Sequence, residues 1–378
     1  MVYGKKPKEH KIFIVRNQYN LKQMGTKAVS KLVYLCSIII SLTFMAITVA
    51  GAFSSYTDPN KHPLLGYIGT ILPILILINL FYIIYWWIRG RIWIWFSLIG
   101  VLVNWGFITS MFQYSFDKEN TEPTIKIATY NIRGFNNEPT GYSAKQIAGY
   151  MQKEQVDILC FQEFNANRYF NMDSLYNNFQ KYPYKYIPRQ SNGGTRIAIF
   201  SKYPIKDSLY ISFDNSNNCG MWTDIKVKGK DIRLFNVHMQ TTELNRNRHI
   251  LAKEVQSSDS EREKEALENI NRQIVNNQKI RANQAKLIEK YITKTEKPII
   301  LCGDFNDTPA SYTYRTLKSN LKDGFRTCGK GYGYTFRGLL HLLRIDYIFH
   351  SDNLQGIEYY SPSLKWSDHN PIIMKVEL

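Results

Sequence analysis

Six short motifs each place acidic, amide or imidazole side chains beside an apolar run. They are IATYNIRG with Asn131, DILCFQEFN with Glu163, FNVHMQ with His238, LCGDFNDTP with Asp304 and Asn306, RIDYIF with Asp346, and KWSDHNPI with Asp368 and His369. Burying a carboxylate beside a strand is costly unless it is paired or coordinates a metal. Four acids and two histidines therefore suit a divalent cation held beside acid–base groups. Oxygen ligands favour Mg²⁺, Mn²⁺ or Ca²⁺ over zinc.

Each motif by itself has an ordinary structural explanation. An Asp-His pair is usually a surface pair, and Gly-Asp before a turn is common. The six motifs together, in one chain, favour a single site in which a metal neutralises charge, a base activates water and donors face developing charge.

The elements that must position these residues are a mixture of strands and helices. Apolar runs predict buried strands over Ile125–Asn131, Asp157–Gln162, Thr195–Ser201, Ile299–Cys302, Ile345–Phe349 and Ile372–Val376. Met221–Val227 and Asp231–His238 flank Lys228-Gly229-Lys230, which predicts a hairpin. Ser143 with Gln146 resembles a capping box and predicts a helix to about Glu154. The order favours two sheets sharing a core, with helices outside.

A long polar segment, Leu244–Tyr291, predicts a helix whose mixed charges form a solvated face. A lid over substrate and a membrane-contacting arm are the alternatives. Cys160 and Cys302 lie in apolar runs and are interpreted as packing residues. Cys219 and Cys328 lie in polar stretches, so a disulfide between them is a hypothesis.

The first third of the chain contains three windows without charge, at residues 32–53, 64–88 and 92–114. Each exceeds the roughly 20 apolar residues that span a bilayer as a helix, so three transmembrane helices are expected. A cleaved signal peptide is the alternative for the first window, but its apolar stretch is long for that role. Pro73, Asn79 and Asn104 are interpreted as a kink and as helix–helix contacts rather than as a transport path.

Charge in the flanks predicts the orientation of these helices. Residues 1–31 hold eight Lys or Arg, against one in the loop 54–63, and Arg89-Gly90-Arg91 forms the next turn. Positive flanks remain inside, so the N-terminus is expected in the cytoplasm and the domain after residue 114 outside it. Nucleic-acid binding by the basic N-terminus is the alternative. The expected organisation is a basic N-terminus (1–31), the spans (32–114), a linker (115–124) and a catalytic domain (125–378).

The composition fits this division and excludes other classes of protein. The chain has 378 residues, a net charge of +17, 44% hydrophobic residues and five cysteines. Such a chain is neither disordered nor a disulfide scaffold. The spans contain no ionisable residue, which disfavours a transporter.

In order and type the motifs resemble the endonuclease/exonuclease/phosphatase superfamily, which has the DNase-I-like fold. The resemblance covers about residues 124–378 and is to bacterial-type members with an N-terminal multi-span anchor. It implies a two-sheet α/β sandwich and hydrolysis of phosphate esters with Mg²⁺ or Mn²⁺. It also implies that Glu163, Asn131 and Asp368 are metal ligands. In this resemblance Asp304 orients or deprotonates water and Asn306 holds the phosphate.

The resemblance assigns the remaining groups as follows. His369, oriented by Asp346, would bind the phosphoryl oxygen, and His238 would act on the phosphate or the leaving group. Arg133 stands where some nucleases of the family have an acid, which weakens a DNA-repair interpretation and makes Arg133 a candidate substrate contact. Asn192-Gly193-Gly194 lies near the family's substrate loops, although a simple turn explains it equally well.

The function expected from the sequence is a membrane-anchored, metal-dependent phosphoesterase in the bacterial inner membrane, acting on a lipid headgroup or another envelope phosphoester. An extracytoplasmic nuclease is the alternative, since residues 121–378 carry 36 Lys or Arg against 27 Asp or Glu. A catalytically inactive binding domain is disfavoured because every motif residue is present. The expected partners are the lipid bilayer and the phosphoester, with nucleic acid as the alternative substrate. No obligate protein partner is inferred.

Overall fold

The computed structural model describes residues 7–116, 123–165, 171–188, 196–242 and 260–378. The Asn192-Gly193-Gly194 loop and residues 244–259 of the long predicted helix lie outside these ranges. The chain forms two compact units, one of Met1–Val49 with Ile74–Val103 and one of Ala50–Pro73 with Asn104–Leu378. The second unit contains all six motifs.

The apolar first third forms helices. Helices α1 (Pro7–Ala52) and α2 (Pro63–Ile88) are each long and apolar enough to cross a membrane. The third window is broken at Asn104 into α3 (Ile94–Val103) and α4 (Trp105–Met111), which are bent by 63°. The described chain therefore has two candidate spans, or three if the bent pair is one span. Within the first unit, Asn79 Nδ2 donates to Thr48 Oγ1 at 2.7 Å, a helix–helix contact of the kind expected for that residue.

The second unit contains two six-stranded sheets and a small two-stranded one. The first sheet has the order β10-β12-β9-β8-β7-β6, the second has β13-β14-β2-β3-β5-β4, and β1 pairs with β11. Only β2 with β3 and β8 with β9 run parallel among the pairs described. The strands are β1 (Phe112–Gln113), β2 (Thr124–Asn131), β3 (Ile158–Gln162), β4 (Tyr184–Tyr186), β5 (Ile197–Ser201), β6 (Ile205–Ser212), β7 (Cys219–Val227), β8 (Lys230–His238), β9 (Ile299–Asp304), β10 (Lys322–Asp323), β11 (Gly331–Tyr332), β12 (Asp346–His350), β13 (Gln355–Tyr360) and β14 (Ile372–Glu377).

Helices cover the outer faces of the two sheets. They are α5 (Arg133–Asn136), α6 (Tyr142–Lys153), α7 (Met172–Asn177), α8 (Ser260–Thr293), α9 (Tyr312–Lys318) and α10 (Gly324–Cys328). One core lies between the sheets and includes Ile127, Met221 and Cys302. Two further cores lie under α6 and under α8 with α9. This is the two-sheet α/β sandwich predicted from the sequence.

Two sequence predictions need correction. Helix α6 is not capped by Ser143, which lies buried inside it; Gly141 occupies the N-cap, and the Glu138 carboxylate accepts from the Ser143 amide at 3.1 Å. Cys219 and Cys328 are both buried, and the five cysteines, all within the described ranges, form no disulfide.

The loop between α1 and α2 packs on the two-sheet sandwich as part of the same unit. From the first loop, Ser54 Oγ donates to the Ala310 carbonyl at 2.5 Å, and Lys286 Nζ lies 2.5 Å from Asp58 Oδ2. The guanidinium of Arg315 stacks 3.6 Å above the ring of Tyr56. The loop between α1 and α2 is therefore held against α8 and α9.

Candidate active site

Strand register brings the motif residues to one edge of the sandwich. In the first sheet, Asp304 pairs with His238 across β8 and β9 and with Asp346 across β9 and β12. In the second sheet, Asn131 pairs with Gln162 across β2 and β3. Because each of these parallel pairs ends at the same point, their C-terminal polar residues are neighbours. Strand pairing within each sheet, together with packing of one sheet on the other, therefore assembles groups that are far apart in sequence.

These residues surround a cavity of about 260 Å³. Seven of the nine predicted site residues line it: Asn131, Arg133, Glu163, Asp304, Asn306, Asp368 and His369. The other two contact lining residues, since Asp346 Oδ2 lies 2.9 Å from His369 Nδ1 and His238 Nε2 lies 3.7 Å from both Glu163 Oε1 and Asp304 Oδ2. The structure thus brings all nine together.

Asp304 is the central carboxylate of the cavity and is fully buried. Its Oδ1 accepts from the Asn306 backbone amide at 2.8 Å, and its Oδ2 accepts from Asn131 Nδ2 at 2.9 Å and Asn306 Nδ2 at 3.2 Å. Burial, reinforced by the nearby Asp346 carboxylate, raises the pKa of Asp304 to about 7. A carboxylate with such a pKa can accept a proton near neutral pH. The amide of Asn306 also donates to the Met239 carbonyl at 3.0 Å, so in this structure it holds Asp304 in place.

His369 and Asp346 form a buried pair beside Asp304. Burial lowers the pKa of His369, but the carboxylates of Asp346 and Asp304 outweigh it and raise that pKa to about 10. His369 is therefore protonated at neutral pH, and its Nε2 lies 3.8 Å from Asp304 Oδ2. The hydroxyl of Ser367 accepts from the His369 amide at 3.2 Å. A fixed, charged imidazole is suited to stabilise negative charge on a phosphoryl oxygen.

His238 has the opposite electrostatic environment. Burial lowers its pKa, and the positive charge on His369 acts in the same direction, although the Glu163 carboxylate opposes them. His238 is therefore neutral at neutral pH. Two histidines in one cavity thus have different protonation states, which separates a neutral hydrogen-bonding group from a cationic one.

The residues predicted as metal ligands lie on one side of the cavity. Asn131 Nδ2 donates to Glu163 Oε1 at 3.0 Å, so the amide nitrogen rather than the amide oxygen faces the carboxylates. Arg133 Nη1 lies 3.4 Å from Asp368 Oδ2, and the Arg133 side chain is half exposed. Glu163 has a left-handed backbone, with a φ of 55°, an uncommon conformation for this residue.

The donor set fits a hard divalent cation. Four carboxylates line the cavity, those of Glu163, Asp304, Asp307 and Asp368, and that of Asp346 lies behind His369, against the two cations Arg133 and His369. Asp346 Oδ1 is buried and has no hydrogen-bond partner among the described residues. Asp304 and Asp346 bring carboxylate oxygens within 4.8 Å of each other and of His369, whose protonated ring balances part of this negative charge. An excess of carboxylates, with Asp304 and Asp346 buried, is the composition that a bound cation would balance.

Sequence reasoning missed several groups that position this site. Thr335 Oγ1 accepts from the amides of Ile345 and Asp346 at 3.0 and 3.1 Å. Arg281, buried in α8, donates from Nη1 to the Gln240 carbonyl at 2.9 Å, and its Nε lies 3.2 Å from Asp307 Oδ2. Arg281 is spaced seven residues from both Ile274 and Ile288, on the apolar stripe of the helix, which is a signal that was available in the sequence, whereas Thr335 carried none.

Gly303, before the central aspartate, has a backbone that only glycine accommodates. Its φ is 141°, and a Cβ there would lie 1.9 Å from the Val237 carbonyl oxygen. A side chain would force β8 and β9 apart directly beside His238 and Asp304. The Gly-Asp order of this motif therefore follows from backbone geometry.

The apolar wall of the cavity was also not predicted. It consists of Phe336, Leu343 and Ile345, and Thr70 of α2 lines the cavity as well. Thr70 belongs to the same compact unit as the other residues that line the cavity. An apolar wall and a helix that is a candidate membrane span thus border the candidate active site.

Comparisons with known proteins agree with this architecture. The model of the endonuclease/exonuclease/phosphatase family matches residues 128–369, and a domain of unknown function matches residues 30–111. No curated protein sequence matches the chain.

Solved structures that are similar to this chain have low sequence identity to it. An endonuclease/exonuclease/phosphatase from Bacteroides vulgatus is 20% identical with a TM-score of 0.50, over 68% of this chain and 100% of that chain. One from Beutenbergia cavernae DSM 12333 is 15% identical with a TM-score of 0.50, over 68% and 72%. D. rerio TDP2 complexed with single strand DNA product is 13% identical with a TM-score of 0.49, over 68% and 100%. With its family match covering most of the chain, this protein belongs to the endonuclease/exonuclease/phosphatase family.

Proposed function

We propose that this chain is a membrane-anchored phosphoesterase that hydrolyses a phosphodiester or phosphomonoester with Mg²⁺ or Mn²⁺. The observation that carries the proposal is the single cavity where Glu163, Asp304 and His369 meet, with Asp346 and His238 behind them. Members of this family are phosphoesterases and nucleases. The proposal assigns the chemistry to this cavity.

In this mechanism Asp304 is the base and His369 is the cationic donor. Asp304 takes a proton from the attacking water as the water oxygen forms a bond to phosphorus. The bond from phosphorus to the leaving oxygen breaks, that oxygen takes up a proton from solvent and leaves as an alcohol, and Asp304 returns its own proton to solvent. His369, held by Asp346, donates to a phosphoryl oxygen, and neutral His238 hydrogen-bonds the phosphate or the leaving oxygen.

The divalent ion would be held by Glu163 and Asp368. Asn131 would join them only with its amide turned so that the oxygen faces the ion. A bound ion supplies positive charge against the phosphate and lowers the pKa of a coordinated water. Binding at Asp368 would release Arg133 from its ion pair, leaving the half-exposed guanidinium to contact substrate phosphate.

We place the catalytic domain outside the cytoplasm, on the inner membrane of a bacterium. The basic residues before the first span favour a cytoplasmic N-terminus. The loop between α1 and α2 packs against α8 and α9, so that loop and the domain share one side of the membrane. That arrangement requires the bent pair α3 and α4 to cross the membrane, which supports three spans.

The activity is tested with the full-length protein in detergent. Bis(p-nitrophenyl) phosphate and p-nitrophenyl phosphate, each with Mg²⁺, with Mn²⁺ and with excess EDTA, distinguish a diesterase from a monoesterase. We expect hydrolysis of at least one ester with a metal and none in EDTA. Binding of substrate without turnover in every condition would favour the inactive-domain alternative.

The placement is tested separately in spheroplasts. Protease added outside should remove the domain after residue 121, and a reporter fused after Leu378 should behave as exported. Full protection of the domain until the membrane is lysed would invert the topology, leaving the metal chemistry unaffected. Single-stranded DNA as a substrate tests the nuclease alternative.

A further inference from the structure

A short hairpin, residues 336–343, forms one wall of the cavity and carries two exposed leucines; we name it the tip hairpin. Its base is the bridge between Phe336 and Leu343, both of which line the cavity. At its end, Leu339 is 40% exposed and Leu340 is 87% exposed. Large apolar side chains that are exposed together on a loop indicate a surface that contacts something apolar.

The tip hairpin is attached to the end of the last apolar helix. Strand β1, which follows α4, pairs with β11 directly before the hairpin, with Phe112 opposite Tyr332. The Gly333 amide donates to the Met111 carbonyl at 2.8 Å, and the Tyr332 hydroxyl donates to the Leu342 carbonyl at 2.8 Å. The residues just before the hairpin therefore lie beside the point where the chain leaves the third apolar segment.

Arg344 makes this attachment rigid. It lies next to the hairpin, is fully buried, and donates from Nη1 to the Ser110 carbonyl of α4 at 2.8 Å. The same guanidinium pairs with both oxygens of Asp323, at 2.8 and 2.5 Å, and packs 4.7 Å from the ring of Phe325. Because the planar guanidinium binds both the Ser110 carbonyl and the Asp323 carboxylate, it fixes the orientation of α4 relative to the chain beside the hairpin as well as the distance between them.

Aromatic side chains continue this surface from the helix end to the hairpin. Tyr114 and Phe116, which follow β1, are 76% and 78% exposed. The rings of Tyr332 and Tyr334 stack at 6.3 Å, and that of Tyr334 lies 5.1 Å from the ring of His341 at the hairpin end. Exposed aromatic residues beside a span are typical of the interface between membrane and water.

The start of α2 borders the cavity together with the hairpin. Thr70 lies seven residues into α2 and lines the cavity. The hydroxyl of Tyr67 donates to the Asn271 carbonyl at 2.8 Å, which holds this first part of α2 against α8. Window 64–88 has 25 residues, about five more than a bilayer needs, so its first turn, with Tyr67, belongs at the membrane surface and Thr70 lies one turn further along.

We propose that the tip hairpin inserts Leu339 and Leu340 into the leaflet next to the ends of α2 and α4, and that the cavity takes its phosphoester from a lipid of that leaflet. This inference rests on the proposed phosphoesterase function. Helix α2 and the apolar hairpin border the cavity, and the end of α4 is joined to the hairpin through Arg344 and β1. The phosphate of a lipid headgroup therefore reaches the cavity while the acyl chains remain in the bilayer. Amphipathic surfaces of this kind bind at the headgroup–acyl boundary.

The test compares lipid with soluble substrate in the same protein. Full-length wild type and the double variant Leu339→Glu/Leu340→Glu are reconstituted in vesicles of phosphatidylethanolamine and phosphatidylglycerol, with Mn²⁺ present. Release of phosphate or headgroup is divided by turnover of bis(p-nitrophenyl) phosphate or p-nitrophenyl phosphate, whichever the wild type cleaves. We expect this ratio to fall at least about tenfold in the variant, because two leucines no longer enter the acyl region. Leu209→Glu, a partly exposed leucine on β6, should leave the ratio unchanged.

The outcomes separate the two proposals. Turnover of neither substrate class by the wild type would contradict the proposed function. Turnover of the soluble ester without lipid release, or an equal ratio in the double variant and the wild type, would overturn the lipid inference alone.

A second measurement covers the case in which the acidic variant does not fold. Leu340→Cys in a Cys36→Ser background carries an environment-sensitive fluorophore, since the other four cysteines are buried. Lipids with nitroxide in the acyl chain should quench this label and leave a label at Leu209→Cys bright. Equal quenching at both positions, or quenching of Leu340 only by aqueous iodide, would contradict insertion.

Discussion

His369 and Asp346 are joined by a 2.9 Å contact between Nδ1 and Oδ2, and both side chains are buried. Thr335 holds the backbone of Asp346, and Ser367 holds that of His369. The imidazole is thus fixed with Nε2 toward Asp304 and the cavity. This relationship makes His369 a cation at neutral pH, and it leads to the first prediction.

Asp346→Asn should lower kcat for a soluble phosphoester by about 10²-fold, with a smaller change in KM. The amide cannot compensate the imidazolium charge, so a donor that acts mainly in the transition state is weakened. Steady-state kinetics on the full chain in detergent measures both constants. A change in KM alone would mean that Asp346 only shapes the binding site.

Asp304→Asn should reduce turnover by at least about 10²-fold while leaving thermal stability unchanged or higher. Burial and Asp346 raise the pKa of Asp304 to about 7. The ionised carboxylate therefore lowers the free energy of unfolding, an effect that begins above the unfolded pKa of about 4 and is complete above about pH 7. The amide removes that charge but cannot take a proton from water. Turnover and the melting temperature are measured in parallel, and nearly normal turnover would rule out Asp304 as the base.

Gly303→Ala should destabilise the protein by at least about 2 kcal/mol, since a Cβ cannot fit 1.9 Å from the Val237 carbonyl oxygen. Gly149→Ala is the matched control, because Gly149 lies inside α6 with no other group within 4 Å of its added Cβ. The control should gain about 0.5–1 kcal/mol from helix propensity. Denaturant unfolding of both variants distinguishes local strain from a general intolerance of substitution.

His350→Gln should flatten the loss of stability on acidification. Burial lowers the pKa of His350, which lies at the end of β12 opposite to Asp346. The unfolded chain, with a histidine pKa of about 6.5, then binds the proton more readily than the folded protein. The contribution of His350 is therefore complete above about pH 6.5 and is lost as the pH falls toward its folded pKa. Unfolding free energies from about pH 7.5 to 5 should decline less in the variant; equal slopes would show that His350 is not involved.

Much of the sandwich was predictable because its central strands are apolar on both faces. All six predicted buried strands and the β7–β8 hairpin are present, with shifted ends. Edge strands β6 and β13 were missed, since sequences such as IKDSLYIS mix polar and apolar residues on half-exposed edges. The prediction that Ser143 caps α6 was wrong because Glu138, which lies before the helix, accepts the hydrogen bond from the Ser143 amide.

The site residues were predictable by type and position but not by geometry. Polar groups at strand ends indicated Asp304 and His238, yet only the register of β8 with β9 makes them neighbours. Nothing in the sequence indicated that Thr70 would reach the cavity or that Arg344 would bind the Ser110 carbonyl. Such contacts depend on how the first loop and α4 pack on the domain, which is a tertiary property.

The metal dependence of Glu163→Gln tests the central claim most directly. Turnover of the soluble ester by the full chain is titrated with Mn²⁺ for the wild type, for Glu163→Gln and for Asp231→Asn, a surface acid paired with Lys206. A lost carboxylate ligand should raise the Mn²⁺ concentration for half-maximal turnover at least about tenfold and lower the maximum, whereas Asp231→Asn should match the wild type. Full wild-type activity in excess EDTA, or an unchanged Mn²⁺ titration in Glu163→Gln, would contradict a metal-dependent phosphoesterase site in this cavity.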